Sequence, residues 1–368
     1  MSKVLRYYGI CALALAAVTV SGCSLKQAEV IVQPMTEYTP KDEVALIEKI
    51  RQNKDSSKEL YETYRDLTVI DIHNHDAADP AAIQREREEY GVDRIVLFGN
   101  ISEPSAKYTD QLAWDEYKKT PANLYPSFAG FPIYEDEGVT IVQDKLEKGY
   151  MNIGEVAAAS TYSEAVSRLP WKSQHPNDGN FPKIYDLAAK YKVPVLLHID
   201  PPSGEPIKHL EEALDQHPDT TIIFGHANAY NTPENIESLI SKHPNLYIDF
   251  FAGFTAYNSG STNKLEDFVP LIEKYPDRFM ISTDSGYGLS KTLAAKGLYD
   301  LIDLLSPETA EKVAYQNYEG LIERQPPTDT QIETIKKLSA EAGKSGTYKL
   351  NKRMANELIF KLEEEAKK

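Results

Sequence analysis

Cysteine is almost missing from this sequence, with Cys11 and Cys23 the only two. Both fall at the N-terminal end, so the remaining chain can form no disulfide and no thiolate metal site. Stability has to come from an apolar core. Long apolar runs are missing as well: beyond residue 22 nothing approaches about 18 uninterrupted apolar residues, so no membrane-spanning helix is expected. Positive charge is in deficit, with 40 Lys and Arg against 56 Asp and Glu and a net charge of −16. Such a surface repels phosphate backbones and anionic headgroups, which argues against a nucleic-acid partner. Histidine is scarce too, at 8 in 368 residues, so where each one stands is informative.

What is present begins with a leader. Lys3 and Arg6 precede "YYGICALALAAVTVSGC", a short apolar core ending in small residues. That is the layout of a secretory signal peptide rather than a membrane span. "VSGC" resembles a bacterial lipobox, with Cys23 the lipidated first residue of the mature chain; an ordinary signal peptide is the alternative. The expectation is an exported protein, lipid-anchored to a bacterial membrane through Cys23. Removing residues 1–22 takes away Lys3 and Arg6 and no acid, which moves the net charge from −16 to −18.

Residues 24–40 read as a tether. Apolar spacing at Val44, Ile47, Ile50, Leu60 and Tyr64 predicts helix packed outside the main domain, so 23–66 is tether and outer helix. From residue 67 short β-branched or aromatic runs recur: "TVIDIH", "RIVLFG", "LYPSFAG", "MNIGEV", "PVLLHI", "TIIFGH", "LYIDFF" and "RFMIST". Stretches of helical periodicity separate them. Apolar strands alternating with helices indicate a parallel sheet covered by helices. Eight such units over about 250 residues match a (β/α)8 TIM barrel, placed at 67–323. An open doubly wound sheet is the alternative fold, but the first strand ends in "HNHDA" where a Gly-rich phosphate turn would be expected. "RQPPTDT" breaks the chain, and helical stretches at 329–343 and 350–367 make 324–368 a helical extension.

In a parallel barrel the carboxyl ends of the strands converge on one mouth. Strand alternation sends His73 and His75 to the same side of the first strand. Glu155 ends the fourth strand, His198 the fifth, His226 the sixth and Asp284 the eighth. Four imidazoles and two carboxylates left unpaired there would be costly to desolvate. A divalent metal site gives them a purpose, with Zn2+ first and manganese, iron or nickel next. A purely hydrogen-bonded cluster closing the barrel is the alternative. His217 and His243, each before a proline at a helix end, read as structural, and His209 as a helix-surface residue. The long stretch after the fourth strand offers Tyr162, Arg168, Trp171 and His175 as a lid. There Arg168 is a candidate clamp for a substrate carboxylate or phosphate, and Trp171 a candidate cover for an apolar ring.

This pattern, carried by "IDIHNH", "NDGNFPKIYDLAAKYKVPVLLHID", "IIFGHAN" and "FMISTDSGYG", resembles the amidohydrolase superfamily in its amidohydrolase-related (type 2) branch. The branch also includes decarboxylases similar to aminocarboxymuconate-semialdehyde decarboxylase. The likeness runs from residue 67 to about 321, where "VAYQNYEGLI" resembles the closing helix with Asn317. It implies that His73, His75, His198 and Asp284 bind the metal, with His226 beside it as proton carrier or electrophile. Glu155 stands where two-metal members carry a bridging carboxylate. Glu155 is thus a candidate ligand, with a carboxylate hydrogen-bonded to an amide or the following loop as the alternative, and the expected count is one tightly held ion, with a second at high metal concentration.

The expected activity is metal-dependent hydrolysis of an amide, lactone or ester in a small molecule. Asp284 would accept the water proton and His226 stabilise the oxyanion. Non-oxidative decarboxylation is the second enzyme reading, and a ligand-binding lipoprotein without turnover the third.

Overall fold

The computed structural model describes residues 30–367, so Cys11, Cys23 and the whole leader lie outside the described residues. Strand β1 (Val30–Pro34) comes first. The eight apolar runs then form β2 (Ile70–Asn74), β3 (Arg94–Leu97), β4 (Leu124–Phe128), β5 (Asn152–Ala159), β6 (Val195–Ile199), β7 (Ile222–Phe224), β8 (Leu246–Phe251) and β9 (Phe279–Ser282). These eight pair in sequence order, each parallel to the next. With helices between them they make a (β/α)8 barrel. Every residue of β4, β5 and β6 is buried, as expected for strands with side chains inside and helices outside.

Three of the helices start where the sequence provides a cap followed by proline. Asp79 accepts from the Ala82 amide with Pro80 in the first turn, and Thr232–Pro233 and Ser306–Pro307 repeat the device. The cap satisfies an amide that lacks an intrahelical partner, and proline at the first position gives up none that was needed.

Between β2 and β9 no backbone ladder is found among the described residues. Asp71 on β2 spans that seam, accepting from Thr283 N at 2.9 Å and Thr283 Oγ1 at 2.7 Å, one residue beyond β9. The two strand ends that carry His73, His75 and Asp284 are thereby tied together.

The termini differ from the sequence expectation. β1 lies within the stretch read as a tether and pairs in parallel with β10 (Gly346–Leu350), Val30 opposite Gly346 and Pro34 opposite Leu350. Val30 and Leu350 are both buried. β10 separates two helices, Asp329–Glu341 and Lys352–Glu365, that cover the outside of the barrel. Before the barrel, helix Val44–Gln52 buries Ile47, and buried Tyr64 donates its hydroxyl to Asp303 at 2.8 Å. Among the described residues no helix is long and apolar enough to cross a membrane.

Candidate metal centre and active site

His73 and His75 project together from the end of β2, their ring centroids 4.9 Å apart. Each ring is held from behind. His73 Nδ1 donates to Asp249 on β8 at 2.7 Å, and His75 Nδ1 donates to the Gly99 carbonyl at 2.7 Å. Carboxylate and carbonyl accept only, so both Nδ1 atoms carry the proton and both Nε2 atoms present lone pairs. Those two Nε2 atoms lie 3.0 Å apart, with Glu155 Oε2 3.1 Å from the second and Asp284 Oδ1 3.8 Å from each. Two lone pairs facing each other repel unless a cation or proton sits between them. The donor set of nitrogen and carboxylate oxygen suits a divalent metal ion.

A second group adjoins the first. His198 Nε2 donates to Asp200 at 2.8 Å, which turns Nδ1 toward Glu155 Oε1 and His226 Nε2, both 3.1 Å away. His226 Nε2 is 3.0 Å from that same Glu155 oxygen. The six residues thus fall into two sets of candidate ligands: His73, His75 and Asp284, and Glu155, His198 and His226. Glu155 faces both, one oxygen to each. This differs from the expected single set in two respects. His198 stands with Glu155 and His226, because Asp200 fixes its ring that way, and His226 is placed as a donor alongside it.

The backbone is shaped for this. Gly154 has φ +134° and a Cβ there would come within 2.5 Å of the Leu196 carbonyl oxygen, so only glycine lets β5 deliver Glu155 to this point. His226, Asp284 and Ser285 all take positive φ, at 33°, 45° and 47°. Non-glycine residues in that region store strain, and strain of this kind gathers at functional sites.

Electrostatics follow from the crowding. Burial alone would lower His73, yet Glu155, Asp284 and Asp249 outweigh it and raise its pKa well above the ordinary histidine value. His198 is treated likewise, with Asp200 and Glu155 overcoming burial to bring it up to about 9. For Glu155 burial acts upward, but His73, His198 and His226 hold it well below the usual carboxylate range. Burial dominates at Asp284 and raises it. Asp200 is kept low by His198, Ser160 and loop amides against the upward effect of burial. The centre therefore favours positive charge.

Five of the six residues line a cavity of about 440 Å3 at the barrel mouth, and His73 lies behind them. The stretch after β5 does cover this cavity, but with other side chains than expected. Its short helix Glu164–Ser167 turns Val166 inward, and Leu169 follows on the same side. Arg168 falls on the outer face, exposed and paired with Glu164 at 2.6 Å. Trp171 sits under the Lys107 ammonium, 5.7 Å from the ring centre, and is not part of the cavity wall. The substrate roles considered for Arg168 and Trp171 therefore find no support in the geometry. His175 stacks on His209 at 3.7 Å, away from the mouth. His217 and His243 pair with Asp186 at 3.0 Å and Asp215 at 3.2 Å on the helical exterior.

Asp249 and Asp200 went unrecognised from sequence. Each was legible in part, as "YID" on the seventh barrel strand and "HID" just after the fifth. A carboxylate behind a ligand histidine is a common way to fix its tautomer.

The amidohydrolase family model matches residues 164–317. An uncharacterised TIM-barrel protein from Bordetella bronchiseptica superposes with a TM-score of 0.53 at 17% identity, covering 80% of this chain and 98% of that one. The 2,6-dihydroxybenzoate decarboxylase from Rhizobium gives a TM-score of 0.51 at 14% identity, over 70% of this chain and 99% of that one. At such identities the likeness is one of fold. No protein of curated function matches the sequence. The family match lies on the second half of the barrel and the eight-stranded architecture runs throughout, so the chain is similar to the amidohydrolase family over residues 164–317.

Proposed function

We propose that this protein is a metal-dependent hydrolase that cleaves an ester, lactone or amide bond of a small molecule. The observation that carries the proposal is Glu155, shared between two His-containing ligand sets that open together onto one cavity. His73, His75 and Asp284 would hold one divalent ion and His198 and His226 a second, with Glu155 between them; zinc is the first candidate. When bound, such ions lower the pKa of water and polarise a carbonyl group. Asp284, at the cavity wall, accepts the water's proton and returns it to the leaving group. Asp249 and Asp200 keep the imidazoles in the tautomers that leave His73 Nε2 and His198 Nδ1 free. The apolar lid residues Val166 and Leu169 exclude bulk water from the reacting bond.

A decarboxylase reading has one support of its own, the fold likeness to the Rhizobium enzyme. A panel of aryl esters, lactones and N-acyl compounds separates the two when offered to zinc- or manganese-loaded protein. Release of the acid product, abolished by chelation and restored by metal, is expected. Carbon dioxide from aromatic carboxylic acids with no hydrolysis would favour the decarboxylase, and saturable binding without turnover the third reading. We further propose export with a lipid on Cys23. Wild type should then partition into membranes and Cys23→Ser into the soluble fraction; a wholly soluble wild type would end that proposal.

A further inference from the structure

Away from the metal ligands, the cavity wall carries an apolar group of Ile101, Val166, Leu169, Phe251 and Phe254, beside neutral polar side chains such as Ser163 and Tyr230. No Lys or Arg lines it among the described residues. The cations nearest in sequence to the wall are committed elsewhere: Arg168 to Glu164, Lys172 to the Ser173 carbonyl, Lys107 to Glu137 and the Trp171 ring, and Lys291 to Asp76. Negative charge, by contrast, is plentiful. Glu103 joins Glu155 and Asp284 in the wall, and Asp200 and Asp249 stand behind the imidazoles.

An anionic group lodged against the apolar part of this wall would lose its hydration and find no Lys or Arg beside it, which is unfavourable. A neutral aryl or alkyl group would displace water from apolar surface, at a gain of about 25 cal/mol per Å2. The volume of about 440 Å3 falls within the roughly 300–1,000 Å3 common for small-molecule sites. It leaves room for one ring with short substituents.

We infer that the substrate is a neutral, apolar-armed molecule: beyond the group cleaved it carries an uncharged aromatic or branched aliphatic portion that packs on Val166, Leu169, Phe251 and Phe254. Substrates with a second carboxylate, a phosphate or a sulfate on that arm are excluded. The inference rests on the barrel mouth being the active site, and it holds whichever bond is broken there.

The test uses two ligands that can be neither hydrolysed nor decarboxylated, acetophenone and 4-acetylbenzenesulfonate. Both offer one ketone, and they differ by a sulfonate on the far side of the ring. Affinities for full-length, metal-loaded protein are read by calorimetry and by ligand-observed NMR. Acetophenone should bind at least about tenfold more tightly, which is about 1.4 kcal/mol. Leu169→Arg should reverse the order, whereas Leu169→Gln should weaken acetophenone without improving the sulfonate. Equal or tighter binding of the sulfonate by wild type overturns the inference, and so does a failure of both ligands to bind at millimolar concentration. Failure of the hydrolase reading shows separately, as intact preference between these two ligands with no hydrolysis of the ester panel.

Discussion

A carboxylate at the cavity wall and imidazoles with their protons tied back are the parts that any chemistry here must use. Asp284→Asn keeps the shape of that side chain but removes its capacity to take a proton as a carboxylate. Hydrolysis is expected to fall by about 10²- to 10⁴-fold with metal in excess; turnover at the wild-type rate would remove Asp284 from the mechanism. Asp249→Ala should act indirectly, by freeing the His73 ring and the His226 amide that Asp249 now accepts from at 2.7 and 2.8 Å. Metal affinity should drop by about 10- to 100-fold, measured by competition with a chromophoric chelator. The pH dependence has a definite sign. His73 is raised well above the ordinary histidine value and His198 is brought up to about 9, so in the metal-free protein these two rings carry an extra proton at neutral pH, and His75 is shifted in the same direction. Entering ions must displace those protons. Affinity should therefore climb as pH rises toward about 9, with proton release visible in calorimetry across buffers of different ionisation heat.

At the scale of elements, most of the barrel was legible because each strand announces itself locally. "PVLLHI" and "TIIFGH" carry their own β-branched, apolar signature between helix-forming segments, and a ligand at the strand end marks the mouth. β1 carries a similar signature in "VIVQP", but its partner lies at the opposite end of the chain, and no local pattern reveals that pairing. The lid was legible as a long loop and misread in detail. Its charged and aromatic residues drew notice, whereas an amphipathic turn places Glu164 and Arg168 outward and Val166 inward. The C-terminal helix supplies a test of how these outer elements are held. Lys352 is fully buried against the Tyr191 ring, and burial pushes its pKa down to about 7. Below that value it is charged in both folded and unfolded chains, so burying the charge costs its full amount. Between about 7 and the ordinary lysine value the unfolded chain binds more protons, so stability recovers as pH rises. Lys352→Met should raise Tm at pH 6 and change it little at pH 9.5; equal gains at both would contradict this.

The whole molecule joins an acidic exterior to a barrel whose mouth collects four imidazoles and two carboxylates from five different strands. The net charge of −16 would repel polyanions, and the cavity is proposed to favour small neutral molecules. Between them stands the metal centre, on which the proposed chemistry depends. Its most direct test is the number of divalent ions retained by purified full-length protein, counted by plasma mass spectrometry against protein concentration. Wild type is expected to hold about two zinc or manganese ions per chain, His73→Ala/His75→Ala about one, and His198→Ala/His226→Ala about one, with circular dichroism unchanged. A folded wild type that retains no divalent ion at micromolar free metal, or a pair of double variants that keep the wild-type count, would contradict the assignment of this constellation as a metal centre.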